Sequence, residues 1–270
     1  MLSKSIISLV RSLQQKKIRE QEGLFIAEGR KVVGELLNSR SVASGDAKAR
    51  VSELMELRML IGTNDALNHF SSASLPQTCK VLEASHRDME RISALTTAQD
   101  ILAVSVIPDP TFDVTALYNG WTFLLDDIRD PGNMGTILRI AHWFGVGQVV
   151  SSLNSVDYFN PKVVQAAMGS LFHVPVYSMG LEGLLSQLDT KKCPDIIAAV
   201  LDGEDLFHME KISKGILLLG NESTGLRSAL RGFSTRNVTI PSFETVPGNR
   251  PESLNVAVSA ALLISSFRAK

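Results

Sequence analysis

The chain has 270 residues, 44% hydrophobic and 20% charged, which suits two folded domains and argues against any long disordered stretch. A formal net charge of −1 means that attraction to a polyanion must be local, and two cysteines, Cys79 and Cys193, without CxxC spacing point away from disulfides and zinc. No apolar run reaches about 18 residues and no secretion signal opens the chain, so a cytoplasmic protein with no membrane segment is expected.

Ser3 to Gln15 places Ile6, Ile7, Leu9, Val10 and Leu13 at helical intervals and predicts an amphipathic helix. A short strand at Leu24–Ala27, a helix at Lys31–Leu37 and strands at Met59–Ile61, Val81–Leu82 and Ile101–Val106 follow. Pro108 and Pro110 then interrupt the periodicity, so residues 1–107 are expected to form a first domain, 108–118 a linker and 119–270 a second domain. In that second part the alternation is stronger. Strands are predicted at Thr122–Leu125, Gln148–Ser151, Val174–Tyr177, Ile196–Val200, Ile216–Leu219 and Val238–Ile240. Helices fall at Gly135–Phe144, Pro161–Ser170, Leu181–Leu188 and Ser253–Phe267. Such alternation means an α/β fold on a mainly parallel sheet.

Ligands of open α/β sheets sit beyond the carboxyl ends of the strands. Polar residues gather there at Asp126–Gly135 with Arg139, at Gly220–Gly225, and from Ile240–Pro241 to Ser253–Val256. Two nucleotide motifs are matched only in part. Gly220 and Gly225 are spaced as in a P-loop, but Leu226-Arg227 replaces the required Lys-Ser/Thr. Gly145 and Gly147 begin a GxGxxG that follows a helix and ends in Val150.

The three segments together resemble the SpoU (TrmH-type) family of SPOUT RNA methyltransferases. Asp130-Pro131-Gly132-Asn133-Met134-Gly135 with Arg139, Gly220-Asn221-Glu222-Ser223-Thr224-Gly225, and Ile240-Pro241 with Ser253-Leu254-Asn255-Val256 occur in the family's order. A fainter likeness, at Leu13–Lys17 and Phe25–Gly29, is to the small α/β substrate-binding domain that often precedes this catalytic domain. The resemblance implies a deep trefoil knot in a C-terminal domain with a mainly parallel sheet, and S-adenosylmethionine as cofactor. It also implies a homodimer through that domain and methylation of a ribose 2′-hydroxyl in ribosomal or transfer RNA, without metal. By position, Leu219, Gly220, Ile240 and Leu254 are expected at the cofactor and Asn133, Arg139, Glu222, Ser253 and Asn255 at the reaction.

Each of these residues also has a purely structural reading. Asn133 suits an N-cap before Met134, Arg139 a helix surface, Glu222 the positive end of a following helix, and Ser253 the cap of the last helix. Gly220 is expected to admit backbone close to a ligand. Arg139 is the family's proposed proton acceptor, but a guanidinium stays charged and is better suited to gripping the target phosphate. Between Pro241 and Ser253 the chain runs longer than in typical relatives, which leaves open a knotted RNA-binding protein with weakened catalysis. The first forty residues carry an excess of +4, so Lys16, Lys17, Arg19, Arg30 and Lys31 are the expected RNA contacts.

Overall fold

The computed structural model describes residues 1–39, 55–70, 75–189, 192, 194–244 and 251–269. They divide into two compact units. One comprises Met1–Thr111 with Asp157–His173, the other Phe112–Val156 with Val174–Lys270. The first unit is therefore discontinuous in sequence.

The first unit opens with α1 (Lys4–Ser12), whose N-terminus is capped by Ser3 as its Oγ accepts from the Ile6 N–H. The predicted helix to Gln15 stops early, because Leu13 and Gln14 turn back onto the carbonyls of Leu9 and Arg11. A separate α2 (Lys16–Glu22) then ends at Gly23, whose φ of 63° is the left-handed geometry glycine adopts without strain. There follow β1 (Leu24–Glu28), α3 (Arg30–Ser39), β2 (Leu57–Gly62), α4 (Asn64–His69), β3 (Lys80–Glu83), α5 (His86–Ile92) and β4 (Ile101–Val106). The sheet order is β1-β4-β2-β3, with β4 antiparallel to β1 and β2, and β2 parallel to β3. Val10, Leu13, Ile26, Ile61, Ile92 and Val104 fill its core.

The second unit begins with α6 (Ala116–Asn119) and β5 (Trp121–Leu125), continues through α7 (Pro131–Trp143) and β6 (Gln148–Ser151), and is interrupted by α8 (Pro161–Ala167) of the first unit. It resumes with β7 (Val176–Ser178), α9 (Leu181–Ser186), β8 (Asp195–Asp205), β9 (Gly215–Leu219), α10 (Ser228–Arg231), β10 (Arg236–Thr239) and α11 (Val256–Arg268). Six strands in the order β10-β8-β9-β5-β6-β7 make an entirely parallel sheet. Central β5 and β9 are buried at every position, as their largely apolar sequences require, with Thr122 the one polar side chain among them.

Three further shifts of boundary have local causes. Predicted strand Val174–Tyr177 starts only after Pro175, which has no N–H to give a ladder. The last helix starts at Val256 because Asn255, not Ser253, caps it. Strand β8 runs on to Asp205 because its far end pairs with β10 after a register jump: Asn237 faces Ala198 but Val238 faces Glu204. The far end of α11 is anchored where Phe267 stacks on Trp121, ring centroids 5.1 Å apart.

Candidate active site

Helix α7 is capped by Asp130, whose Oδ1 accepts the Asn133 N–H at 2.7 Å, with Pro131 set at the first helical position. The N-cap reading of Asn133 is thereby overturned, and its side-chain amide is available for other work. At α11, Asn255 Oδ1 accepts the N–H groups of Ala257 and Val258 at 2.9 and 3.3 Å. That fixes which end of the Asn255 amide faces outward. Its Nδ2 donates to Asn133 Oδ1 at 2.8 Å, so Asn133 Nδ2 in turn faces, and donates to, Glu222 Oε1. Three segments far apart in sequence meet in one directed chain of hydrogen bonds that ends on a carboxylate.

Glu222 sits in a tight loop after β9. Asn221 Oδ1 accepts the N–H groups of Ser223 and Thr224, and the backbones of Asn221 and Gly225 bond to each other at 3.1 and 2.9 Å. Because the loop folds back on itself, a Cβ at Gly220 would lie 2.3 Å from Leu226 N. The glycine is required by the loop's own closure, a different reason from the close approach of a ligand expected above.

A cavity of about 400 Å³ opens beside this loop, within the size range of small-molecule sites. Leu219, Gly220, Ile240 and Leu254 all line it, as do Glu222 and Ser253. Asp202 and Arg231, which no motif singled out, line it too. Arg231 donates to Asp202 at 3.0 Å and holds that carboxyl below the usual range. Asp202, Glu222 and Glu252 against Arg231 leave the lining acidic, and Leu219, Leu226, Ile240, Leu254 and Leu263 add apolar wall. That donor set fits a nucleoside-amino acid carrying a positive sulfonium.

Arg139 does not line the cavity. It stands exposed on α7, and among the described residues its guanidinium has neither an ion pair nor a hydrogen bond. The middle of the lengthened segment between Pro241 and Ser253, residues 245–250, lies outside the described residues. Among the described residues no cluster of His, Cys, Asp or Glu suited to a metal occurs.

The five expected RNA contacts separate. Arg19 is 1% exposed and is bound to the carbonyls of Leu13 and Gln14 at 2.8 Å and to Asp157, so it is a core residue and not an RNA contact. Arg30 is engaged by Asp65 and Asp100. Lys16 pairs loosely with Glu20 at 3.7 Å, whereas Lys17 and Lys31 are exposed. Sequence could not separate a buried arginine from a surface one, because the acid that pairs with Arg19 lies 138 positions away.

Residues 120–265, more than half the chain, match the model of the SpoU rRNA Methylase family, and residues 4–44 match an MRM3-like substrate binding domain. The 23S rRNA (guanosine(2553)-2′-O)-methyltransferase RlmP of Bacillus subtilis is 28% identical over 258 residues, 96% of this chain and 94% of that protein. A solved Porphyromonas gingivalis structure assigned to the TrmH family of RNA methyltransferases superposes with TM-score 0.81 at 35% identity, covering 99% of this chain and 98% of that one. An AdoMet-bound rRNA methyltransferase from Sinorhizobium meliloti shares the fold, with TM-score 0.81 at 24% identity and 99% and 95% coverage. Matched over more than half its length and aligned nearly end to end with a TrmH-family structure, the chain belongs to the SpoU rRNA methylase family, whose α/β fold is knotted.

Proposed function

We propose that this chain transfers a methyl group from S-adenosylmethionine to a ribose 2′-hydroxyl of ribosomal RNA. The observation that carries the reading is the hydrogen-bond chain from Asn255 through Asn133 to Glu222, at the edge of a cavity lined by Leu219, Gly220, Ile240 and Leu254. The end-to-end likeness to a 23S rRNA ribose methyltransferase supports ribosomal over transfer RNA. When bound, S-adenosylmethionine supplies a methyl group activated by its sulfonium.

The rest falls to the protein's own groups. The Asn133 amide orients Glu222, whose carboxylate accepts hydrogen bonds at the cavity wall, and Ser253 adds a hydroxyl to the same wall. Arg139, charged and unpaired among the described residues, grips the phosphate beside the target ribose and polarises the 2′-oxygen. Such positioning supplies much of the barrier reduction in a displacement that needs little covalent help from the enzyme.

Residues 1–107, joined by the return of Asp157–His173, act as the substrate-binding domain, with Lys17 and Lys31 among its exposed cations, 108–118 as linker and the remainder of 119–270 as the methyltransferase domain. The protein works as a homodimer through the second domain. Val258 and Leu262 make an exposed apolar row along α11, Leu254 is exposed just before it, and Trp143 of α7 is 84% exposed; this apolar surface is what a second copy would cover. No helix among the described residues is long and apolar enough to cross a membrane, and the end-to-end likeness to a Bacillus subtilis 23S rRNA methyltransferase supports the cytoplasm as its place of action.

The test is methylation of total RNA with labelled S-adenosylmethionine, followed by mapping of 2′-O-methyl ribose. Incorporation into large-subunit ribosomal RNA is expected. Cofactor binding without incorporation into any RNA would favour the knotted binding protein.

A further inference from the structure

Asp126 is the first residue beyond β5, and only 1% of its surface is exposed. A carboxylate so buried is tolerated only with a close partner and satisfied hydrogen bonds. Its partner is Arg227, the residue immediately after the cavity loop. Arg227 Nε donates to both carboxylate oxygens at 2.9 and 3.0 Å, Nη2 lies 2.7 Å from Oδ1, and the Arg227 backbone N–H reaches Oδ2 at 3.2 Å. The remaining terminal nitrogen, Nη1, pairs with Glu182 of α9 at 2.8 Å.

The neighbouring residue holds the other end of the same loop. Asn221 Nδ2 donates to the Asp127 carbonyl at 2.8 Å, and Asp127 keeps a left-handed φ of 57°, rare outside glycine, to present it. Two consecutive residues thus fasten the loop at Asn221 and at Arg227, and Gly220 to Leu226 all lie at the cavity wall. Glu222 is secured separately by Asn133. Neither Asp126 nor Arg227 lines the cavity.

We infer that Asp126 and Arg227 are a positioning pair that sets the height of the 220–226 backbone over the cavity and so governs affinity for S-adenosylmethionine without touching it. Because Glu222 has its own tether, loosening the exit of the loop costs cofactor binding more than turnover. The inference rests on the cavity being the cofactor site.

The experiment titrates S-adenosylmethionine calorimetrically into the full chain and into Asp126→Asn, Arg227→Gln, Arg227→Lys and the double variant Asp126→Asn/Arg227→Gln, with methylation kinetics on ribosomal RNA in parallel. Each of the first two is expected to weaken binding about tenfold, Arg227→Lys to recover part of the loss, and the double variant to be no weaker than either single one. KM for the cofactor should rise by the same factor, while kcat at saturating cofactor changes less than about threefold. A pair that only stabilises the fold would lower the melting temperature yet leave Kd within about twofold in the folded variants, and that result overturns the inference. Should Arg227→Gln fail to fold, the double variant, which leaves no unpaired buried charge because Glu182 is part-exposed, decides alone. Absence of binding by the wild-type chain would instead overturn the cofactor reading.

Discussion

Asn255 donates its side-chain amide to Asn133 Oδ1 at 2.8 Å while its own carbonyl oxygen caps the helix that begins one residue later. The cap and the contact with Asn133 use opposite ends of one amide, so substitution can separate them. Asn255→Asp keeps the capping oxygen and loses the donor. Its melting temperature should stay near wild type while kcat falls about a hundredfold, the usual loss for an orienting donor. Asn255→Ala should lose the same activity and about 1 kcal/mol of stability besides, as capping losses do. Thermal denaturation and single-turnover kinetics check both.

Arg139→Ala should leave the melting temperature unchanged, because the side chain is exposed and has no described partner to abandon. Single-turnover methylation is expected to drop at least about a hundredfold, with S-adenosylmethionine affinity intact. Arg139→Lys should recover part of that rate, since it keeps the charge but loses the planar fork. A wild-type rate in Arg139→Ala would reduce the residue to surface decoration.

Arg19→Ala should behave in the opposite way. Removing a side chain that is 2% exposed strands Asp157 and two backbone carbonyls, a loss of about 3 kcal/mol. RNA affinity of the folded fraction should not change. Lys17→Ala and Lys31→Ala should each leave stability alone and lower the salt slope of RNA binding by up to about one unit. Filter binding across a salt series separates the two kinds of residue.

Glu28 supplies a pH signature. Burial pushes its carboxyl above the ordinary value of 4.5, against the hydrogen bonds from Ala94 N–H and the Ser93 hydroxyl that favour the anion. A carboxyl raised in the folded state contributes stability below its unfolded value, and that contribution is lost as pH rises through the folded value. Glu28→Gln cannot ionise, so its melting temperature relative to wild type should climb as pH is raised from about 4 toward neutrality. A constant difference across that range would exclude Glu28 as the source.

Val258→Asp, on the exposed row of α11, should give a monomer by light scattering where the wild type is a dimer, with the monomer fold intact by circular dichroism. A monomeric wild type would remove the dimer from the proposal.

Much of the sheet was readable because central strands such as Phe123–Leu125 and Leu217–Leu219 are unbroken apolar runs beside helices of different period. The cavity residues were readable too, though through a family pattern and not through residue physics. Geometry that depends on distant partners was not readable. Asp130-Pro131 is a local cap signal that the capping reading of Asn133 passes over, but nothing near Asn133 announces that its freed amide meets Glu222, 89 positions on. Arg19 looked like one of several surface cations because Asp157 belongs to a return excursion of the chain. Arg227 was noticed only as the residue that spoils a P-loop, although it closes the loop that does matter.

The register jump in β10 also says how this site can vary. Because Asn237 pairs with Ala198 and Val238 with Glu204, residues 199–203 leave the ladder, and Ala199 to Asp202 become part of the cavity wall. Insertions or deletions in that excursion alter the chamber's width and polarity while the paired stretches on either side keep their partners. The sheet edge is thus a place where ligand fit and fold stability can change independently, the kind of separation that lets one scaffold diverge toward new substrates without first surviving a weakened core.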